Sequence, residues 1–107
     1  FVVNANKCLA YHTLENRDKE LPKNIVNKMA NWIAGCDICQ EVCPWNEKFS
    51  IKTDMDKFEP REEIINYTNK DWDNLTKEKF TSLFKGSAVK RTKYNGLRRN
   101  IEKNNSE

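Results

Sequence analysis

The sequence predicts a mostly α-helical chain, and three observations carry that prediction. Apolar residues recur at helical spacing in several stretches, no run alternates as a half-buried strand would, and there are only three glycines in 107 residues. There is no internal repeat or low-complexity tract, so most of the length is expected to be compact. Apolar residues make up 37% and charged residues 33%, with a mean hydropathy of -0.90. Such a chain is one small domain or part of one, with a modest core that would gain from a cofactor as a staple.

The elements follow in order. Phe1-Val-Val3 is the one β-branched stretch and is either the end of a strand or a linker. Cys8, Leu9, Tyr11, His12 and Leu14 predict a helix over about Asn4 to Glu15, and Asn16-Arg17-Asp18 is a polar loop. Pro22 suits the first turn of a second helix carrying Ile25, Val26, Met29, Trp32 and Ile33, with Gly35 as its stop. A short helical turn is expected between Cys39 and Cys43, ended by Pro44. From Asn46 to Pro60 no period is visible, which predicts a long wrapping loop anchored by Trp45, Phe49, Ile51 and Phe58. Arg61 to Tyr67 reads as a short helix. Thr76 is a candidate N-cap, although Lys79 stands where a capping box would place an acid. Leu75, Phe80, Leu83 and Phe84 should face inward. Gly86 ends that helix, Ser87 caps the next turn, and a final helix from about Arg91 places Tyr94, Leu97 and Ile101 on one face. Asn104 to Glu107 are expected to fray.

The chemistry is concentrated in the cysteines. Cys36, Cys39 and Cys43, followed by Pro44, give C-x2-C-x3-C-P, the last part of the C-x2-C-x2-C-x3-C-P run that holds iron–sulfur clusters in bacterial ferredoxins. Ile33 stands where the first cysteine of that run would be, and Cys8 is the only other thiol. Two intervening residues let one short turn aim two sulfurs at neighbouring irons, and the proline turns the chain away. Four thiolates are enough for one cluster. In two-cluster ferredoxins, however, the cysteine before the proline serves the other cluster, so the chain can equally be half of a two-cluster module. Zinc accepts four thiolates too, but its structural sites come as paired knuckles and the second knuckle is absent. A disulfide framework needs an oxidising compartment, and the C-P ending has no part in one. Unligated core thiols are the remaining alternative.

Net charge is +3 and the isoelectric point 8.7, too mild an excess to indicate nucleic acid by itself. Between Lys85 and Lys103 the basic residues Lys90, Arg91, Lys93, Arg98 and Arg99 cluster against a single acid, Glu102, which makes a candidate phosphate-contacting surface. No apolar run approaches membrane-spanning length, so no membrane partner is expected. Phe1 opens the chain without a charged-then-apolar leader, which suggests excision from a longer polypeptide.

Three separated blocks resemble a known family: Lys7-Cys-Leu-Ala-Tyr-His-Thr-Leu-Glu15, Met29-Ala-Asn-Trp-Ile-Ala-Gly-Cys-Asp-Ile-Cys-Gln-Glu-Val-Cys-Pro-Trp-Asn46, and Phe84-Lys-Gly-Ser-Ala-Val-Lys-Arg-Thr-Lys-Tyr-Asn-Gly-Leu-Arg-Arg-Asn100. Together they resemble the carboxy-terminal part of epoxyqueuosine reductase. The resemblance implies the second half of a ferredoxin-like iron–sulfur module over residues 1–46, followed over 47–107 by a wrapping loop and a basic helical tail. It implies a cytoplasmic oxidoreductase that converts epoxyqueuosine in tRNA to queuosine with cobalamin and two [4Fe–4S] clusters. Carried over by position, Cys8, Cys36 and Cys39 are three ligands of one cluster and Cys43 a lone ligand of the other, so neither is complete here. The Gly35-Cys36-Asp37 turn, and Asp37 in particular, is the expected point of contact with cobalamin, and Lys90, Arg91, Lys93, Arg98 and Arg99 are the expected tRNA contacts. The implied partners are tRNA, an amino-terminal cobalamin-binding region of the same chain, and an electron donor. No catalytic residue is expected within the segment. His12 is read as a partly buried polar residue ahead of a substrate contact, and Trp32 and Trp45 as core residues ahead of cluster shields. Two functions of other classes compete: a free-standing ferredoxin-like electron carrier, if the four cysteines close a cluster themselves, and a zinc-stabilised RNA-binding module.

Overall fold

In the computed structural model, residues 2–105 are described, and all regular structure among them is helical. Seven α-helices are joined by short 3-10 and π turns: α1 Lys23–Val26, α2 Ile38–Glu41, α3 Pro44–Phe49, α4 Glu62–Ile65, α5 Asn69–Asp73, α6 Lys77–Leu83 and α7 Lys93–Asn105. The mostly α prediction stands. Phe1 lies outside the described residues, while Val2 and Val3 are exposed and extend no strand.

The first predicted helix is broken. Asn4 accepts from the Asn6 amide and caps a one-turn 3-10 helix over Ala5–Lys7, after which Cys8 leaves in an extended conformation (φ -90, ψ 122). The chain becomes helical again at Leu9 and widens into a π turn over Tyr11–Glu15. The second predicted helix is cut short. Ala30 (φ 42) and Asn31 (φ 76) adopt left-handed backbone, which a right-handed helix cannot continue through, so Trp32 and Ile33 lie in an irregular approach to the cysteines. Gly35 (φ 79) sets the last change of direction before Cys36.

Pro44 does more than end α2. It occupies the first turn of α3, where a missing N–H costs nothing, so the chain that was read as a loop from Asn46 is helical to Phe49. The four apolar residues expected to anchor that loop are exposed, Trp45 by 72%, Phe49 by 57%, Ile51 by 91% and Phe58 by 70%. A large apolar side chain reads as buried from sequence whether its cover lies in the chain or outside it. Helix α5 had no place in the sequence reading. Its N-terminus is a full capping box, in which the Thr68 hydroxyl accepts from the Asp71 amide and the Asp71 carboxylate accepts from the Thr68 amide and hydroxyl. These bonds hold the Asp71 pKa below the ordinary carboxylate value. Thr76 caps α6 as predicted, and Lys79, at the position an acid would fill, pairs instead with Glu63 of α4.

Two apolar clusters make the core. One gathers Leu75, Phe80, Leu83, Phe84, Leu97 and Ile101, and the other Leu9, Leu21, Ile25 and Met29, with Trp32 and Cys36 packed against the second. Helix α7 joins them. Leu97 and Ile101 face the first cluster, and Arg99 and Asn100 reach the turn that carries His12 and Thr13. These bonds run from the tail back into the amino-terminal region, so the segments 1–46 and 47–107 interlock. A Cβ on Gly96 would stand 2.6 Å from Thr92 Oγ1, so this glycine leaves room for the Thr92 hydroxyl to reach the Thr13 carbonyl. The helix continues to Asn105 rather than fraying at Asn104: Asn104 Oδ1 accepts from the Asn31 amide at 3.1 Å, and Asn105 bonds Asp73.

Candidate metal centre

The cysteines occupy three kinds of position. Cys8 is half-buried at the end of the first 3-10 turn, with its carbonyl accepting from the His12 amide at 3.2 Å. Cys36 is half-buried against Leu9, Leu21, Ile25 and Met29. Cys39 is exposed on α2, and Cys43, half-buried, precedes α3 as its N-cap. All four are free thiols. Among the described residues no three His, Cys, Asp or Glu side chains converge to hold a metal ion. The cysteines therefore form no closed tetrathiolate of the zinc kind.

An iron–sulfur cluster asks for something different. Each thiolate binds a different iron, so the sulfurs surround a bulky inorganic core rather than meet at a point. In chemistry, though not in a closed geometry within this chain, four free thiols suit such clusters. Three thiols lie within eight residues on a turn and a short helix, and the fourth lies on a segment tied to that turn. The tie is Thr13. Its hydroxyl donates to the Leu9 carbonyl at 2.8 Å and accepts from the Gly35 amide at 3.0 Å, joining the residue after Cys8 to the residue before Cys36. Close to the thiols in sequence, Ile38 (46% exposed), Val42, Trp45 and Phe49 are exposed apolar residues, with Trp45 stacked on Phe49 at 5.3 Å. Trp45 is thus no core residue, whereas Trp32 packs into the second cluster.

Asp37 is exposed at the N-cap of α2 and makes no side-chain capping bond. Beside it no heavy atom lies within 4 Å of where a Cβ on Gly35 would stand, so the backbone here presents an open face. His12 is buried and fully paired: Nε2 donates to the Asn6 carbonyl at 2.8 Å while Nδ1 accepts from Asn16 Nδ2 at 3.0 Å, which assigns the Nε2–H tautomer. Its role is structural.

The basic tail divides in two. Lys90, Arg91 and Lys93 are exposed, and Arg91 pairs with Glu15 at 2.6 Å. Arg98 is turned inward to the end of α5, where Nη1 donates to the Asp73 carbonyl at 2.6 Å. Arg99 departs furthest from the expected phosphate contact. It is 8% exposed, and its guanidinium donates to the carbonyls of His12, Asn16 and Asp18 and twice to Asn100 Oδ1. All its N–H donors are thereby used, so none is left for a phosphate. Burial pushes its pKa down, and the Asp18 charge partly opposes this. Arg61 does the same work at the end of α6, donating to the carbonyls of Leu83 and Lys85. The common cause is the set of orphan carbonyls at helix ends, which side-chain cations satisfy.

Two shallow cavities, of about 440 and 330 Å³, meet at Lys93 and Asn95. The first is lined by Arg17 and Lys19 and the second by Lys77 and Lys90. Arg17, Lys19 and Lys77 were not singled out in the sequence because they are distant from the tail and only the fold places them beside it.

Comparison with known proteins follows from this geometry. Residues 1–46 match the family model described as a 4Fe-4S double cluster binding domain. An epoxyqueuosine reductase of Prochlorococcus marinus is 55% identical over 95% of this chain and 33% of its own length. The chain is related to the epoxyqueuosine reductases. Reductases of that name from Synechocystis and Cellulophaga algicola are 46% and 44% identical over 97% and 95% of the chain, and over 36% and 33% of their own lengths. The chain thus spans about a third of the reductase relatives it matches. No solved structure matches it. The cofactor class that the matched family model names is iron–sulfur, and the matched residues 1–46 include all four cysteines. Among the described residues no helix is long and apolar enough to cross a membrane.

Proposed function

We propose that the chain is the electron-transferring, RNA-facing segment of an enzyme that reduces epoxyqueuosine in tRNA to queuosine. The observation that carries this reading is the joining of the Cys8 and Cys36 segments through the Thr13 hydroxyl, in a chain 55% identical to a relative named for that reaction. Cys8, Cys36 and Cys39 hold one [4Fe–4S] cluster and Cys43 contributes to a second, with the remaining ligands on other parts of the polypeptide. The clusters supply single electrons. The chain's own residues fix the thiols, pack Cys36 against an apolar wall and offer the Gly35–Asp37 backbone to cobalamin. The proposed setting is cytoplasmic, where thiols are kept reduced for cluster assembly.

The test is turnover. The full-length polypeptide, purified anaerobically and supplied with cobalamin and a reductant, should convert epoxyqueuosine-bearing tRNA to the queuosine form, read by mass spectrometry of the digested nucleosides. Cys39→Ser should abolish conversion. Turnover retained by the variant would reject the assignment.

For RNA, the exposed cations Lys90, Arg91 and Lys93 form the contact surface, joined across the two cavities by Arg17, Lys19 and Lys77. Arg99 is left out because all of its N–H donors serve acceptors within the chain, and Arg98 is placed at the margin because it is committed in part to the Asp73 carbonyl and to Glu102. Replacing Lys90 or Lys93 with alanine should weaken tRNA binding across sequences and reduce the slope of log affinity against log salt by about 1 per lysine. An unchanged slope in both variants would remove these residues from the interface.

A further inference from the structure

Thr13 is completely buried and uses both its hydroxyl and its carbonyl. The hydroxyl donates to the Leu9 carbonyl and accepts from the Gly35 amide. The carbonyl accepts from Thr92 Oγ1 at 2.9 Å and from Asn100 Nδ2 at 2.8 Å. Asn100, also completely buried, donates in addition to the Ile33 carbonyl at 2.8 Å, and its own Oδ1 is held by Arg99. The approach to Cys36 is therefore held at both Ile33 and Gly35, and both bonds lead back to the turn that follows Cys8.

We propose that Thr13 is a positioning residue for the iron–sulfur ligands, fixing the separation of Cys8 and Cys36, with Asn100 and Thr92 of the tail locking it in place. The physical case rests on what else could set that separation. Residues 30–35 contain three left-handed backbone positions, Ala30, Asn31 and Gly35, and no regular helix, so local hydrogen bonding does not fix where Cys36 lies. Cys8 sits in extended backbone between two turns. Thr13 supplies the cross-link that the local structure lacks, and in a nearly dry setting its bonds are not exchanged for water. Groups that orient metal ligands without touching the metal tune retention as well as geometry.

The inference rests on the reading of Cys8 and Cys36 as cluster ligands, and the experiment separates the two. In the full-length, cluster-loaded polypeptide, the rate of iron release to a chelator is measured well below the unfolding temperature for wild type, Thr13→Val, Thr13→Ser and a control, Leu83→Ala, in the other core cluster. Thr13→Val should release iron about tenfold faster than wild type, and Thr13→Ser, which keeps the hydroxyl, should stay close to wild type. Leu83→Ala, matched to Thr13→Val in stability by choice of temperature, should release iron slowly. Equal rates for Thr13→Val and Leu83→Ala would mean that the threonine serves stability alone and would overturn the proposal. Wild-type iron content left unchanged by Cys36→Ser would instead reject the ligand reading beneath it. Should Thr13→Val fold poorly, Gly35 amide exchange in Thr13→Ser and Asn100→Ala decides: protection kept in the first and lost in the second supports the relay, and protection kept in both refutes it.

Discussion

Arg99→Met is expected to destabilise the chain by about 3–5 kcal/mol, because it strips donors from acceptors that water reaches poorly. The guanidinium serves the carbonyls of His12, Asn16 and Asp18 and the side-chain oxygen of Asn100, and among the described residues no buried side-chain polar atom lacks a partner. Each acceptor left unpaired in a buried setting costs about 1–3 kcal/mol, and partial entry of water to the Asp18 side moderates the sum. For a domain of this size the loss is a large share of the total, since about 5–15 kcal/mol is all that separates folded from unfolded states. Arg99→Lys restores charge but not the fork of donors, so it should recover only part of the loss. Arg91→Met removes an exposed pair with Glu15 and should move the urea midpoint little. Urea unfolding followed by circular dichroism reads all three. Equal midpoints for Arg99→Met and Arg91→Met would show that the buried network contributes nothing.

This result bears on function, because the network that Arg99 supports also supports Asn100, and Asn100 bonds both Thr13 and Ile33. The last helix thus supports the segments that carry Cys8 and Cys36, the ligands of the proposed metal centre, although no cysteine lies on it.

Some of this was legible in the sequence, and the reasons differ by region. Helices α6 and α7 were readable because apolar spacing, the Thr76 cap and Gly86 all agree. The cysteine spacing was readable because ligand geometry constrains neighbours along the chain. Helix α5 carried its own signal, Thr68 with Asp71 three residues on, but a helix of five residues shows too little apolar period to be noticed. The exposure of Trp45, Phe49, Ile51 and Phe58 had no local mark, since hydrophobicity tells what a residue prefers and not whether a cover is present. Arg98 and Arg99 looked like surface charge for a similar reason: composition counts cations but does not say which ones face the ends of helices. Thr13 and Asn100 are 87 residues apart in sequence, and no pattern in either segment pairs them.

The second large effect concerns the thiols. Cys8, Cys36 and Cys39 lie on the two segments that Thr13 joins, while Cys43 is set apart beyond α2 at the entry to α3. The proposed ligand division is the one that the resemblance to the reductases implies, with Cys8, Cys36 and Cys39 on one cluster and Cys43 on the other. The most direct measurement is iron and acid-labile sulfide per polypeptide in the anaerobically purified full-length protein and its four single Cys→Ser variants, with zinc measured alongside. Wild type should hold about eight of each, as two [4Fe–4S] clusters require. Cys8→Ser, Cys36→Ser and Cys39→Ser should each lose the same cluster, giving one shared electron paramagnetic resonance spectrum for the survivor, and Cys43→Ser should lose the other and give a different one. One spectrum common to all four variants, or zinc held in place of iron and sulfide in the wild type, would contradict the account.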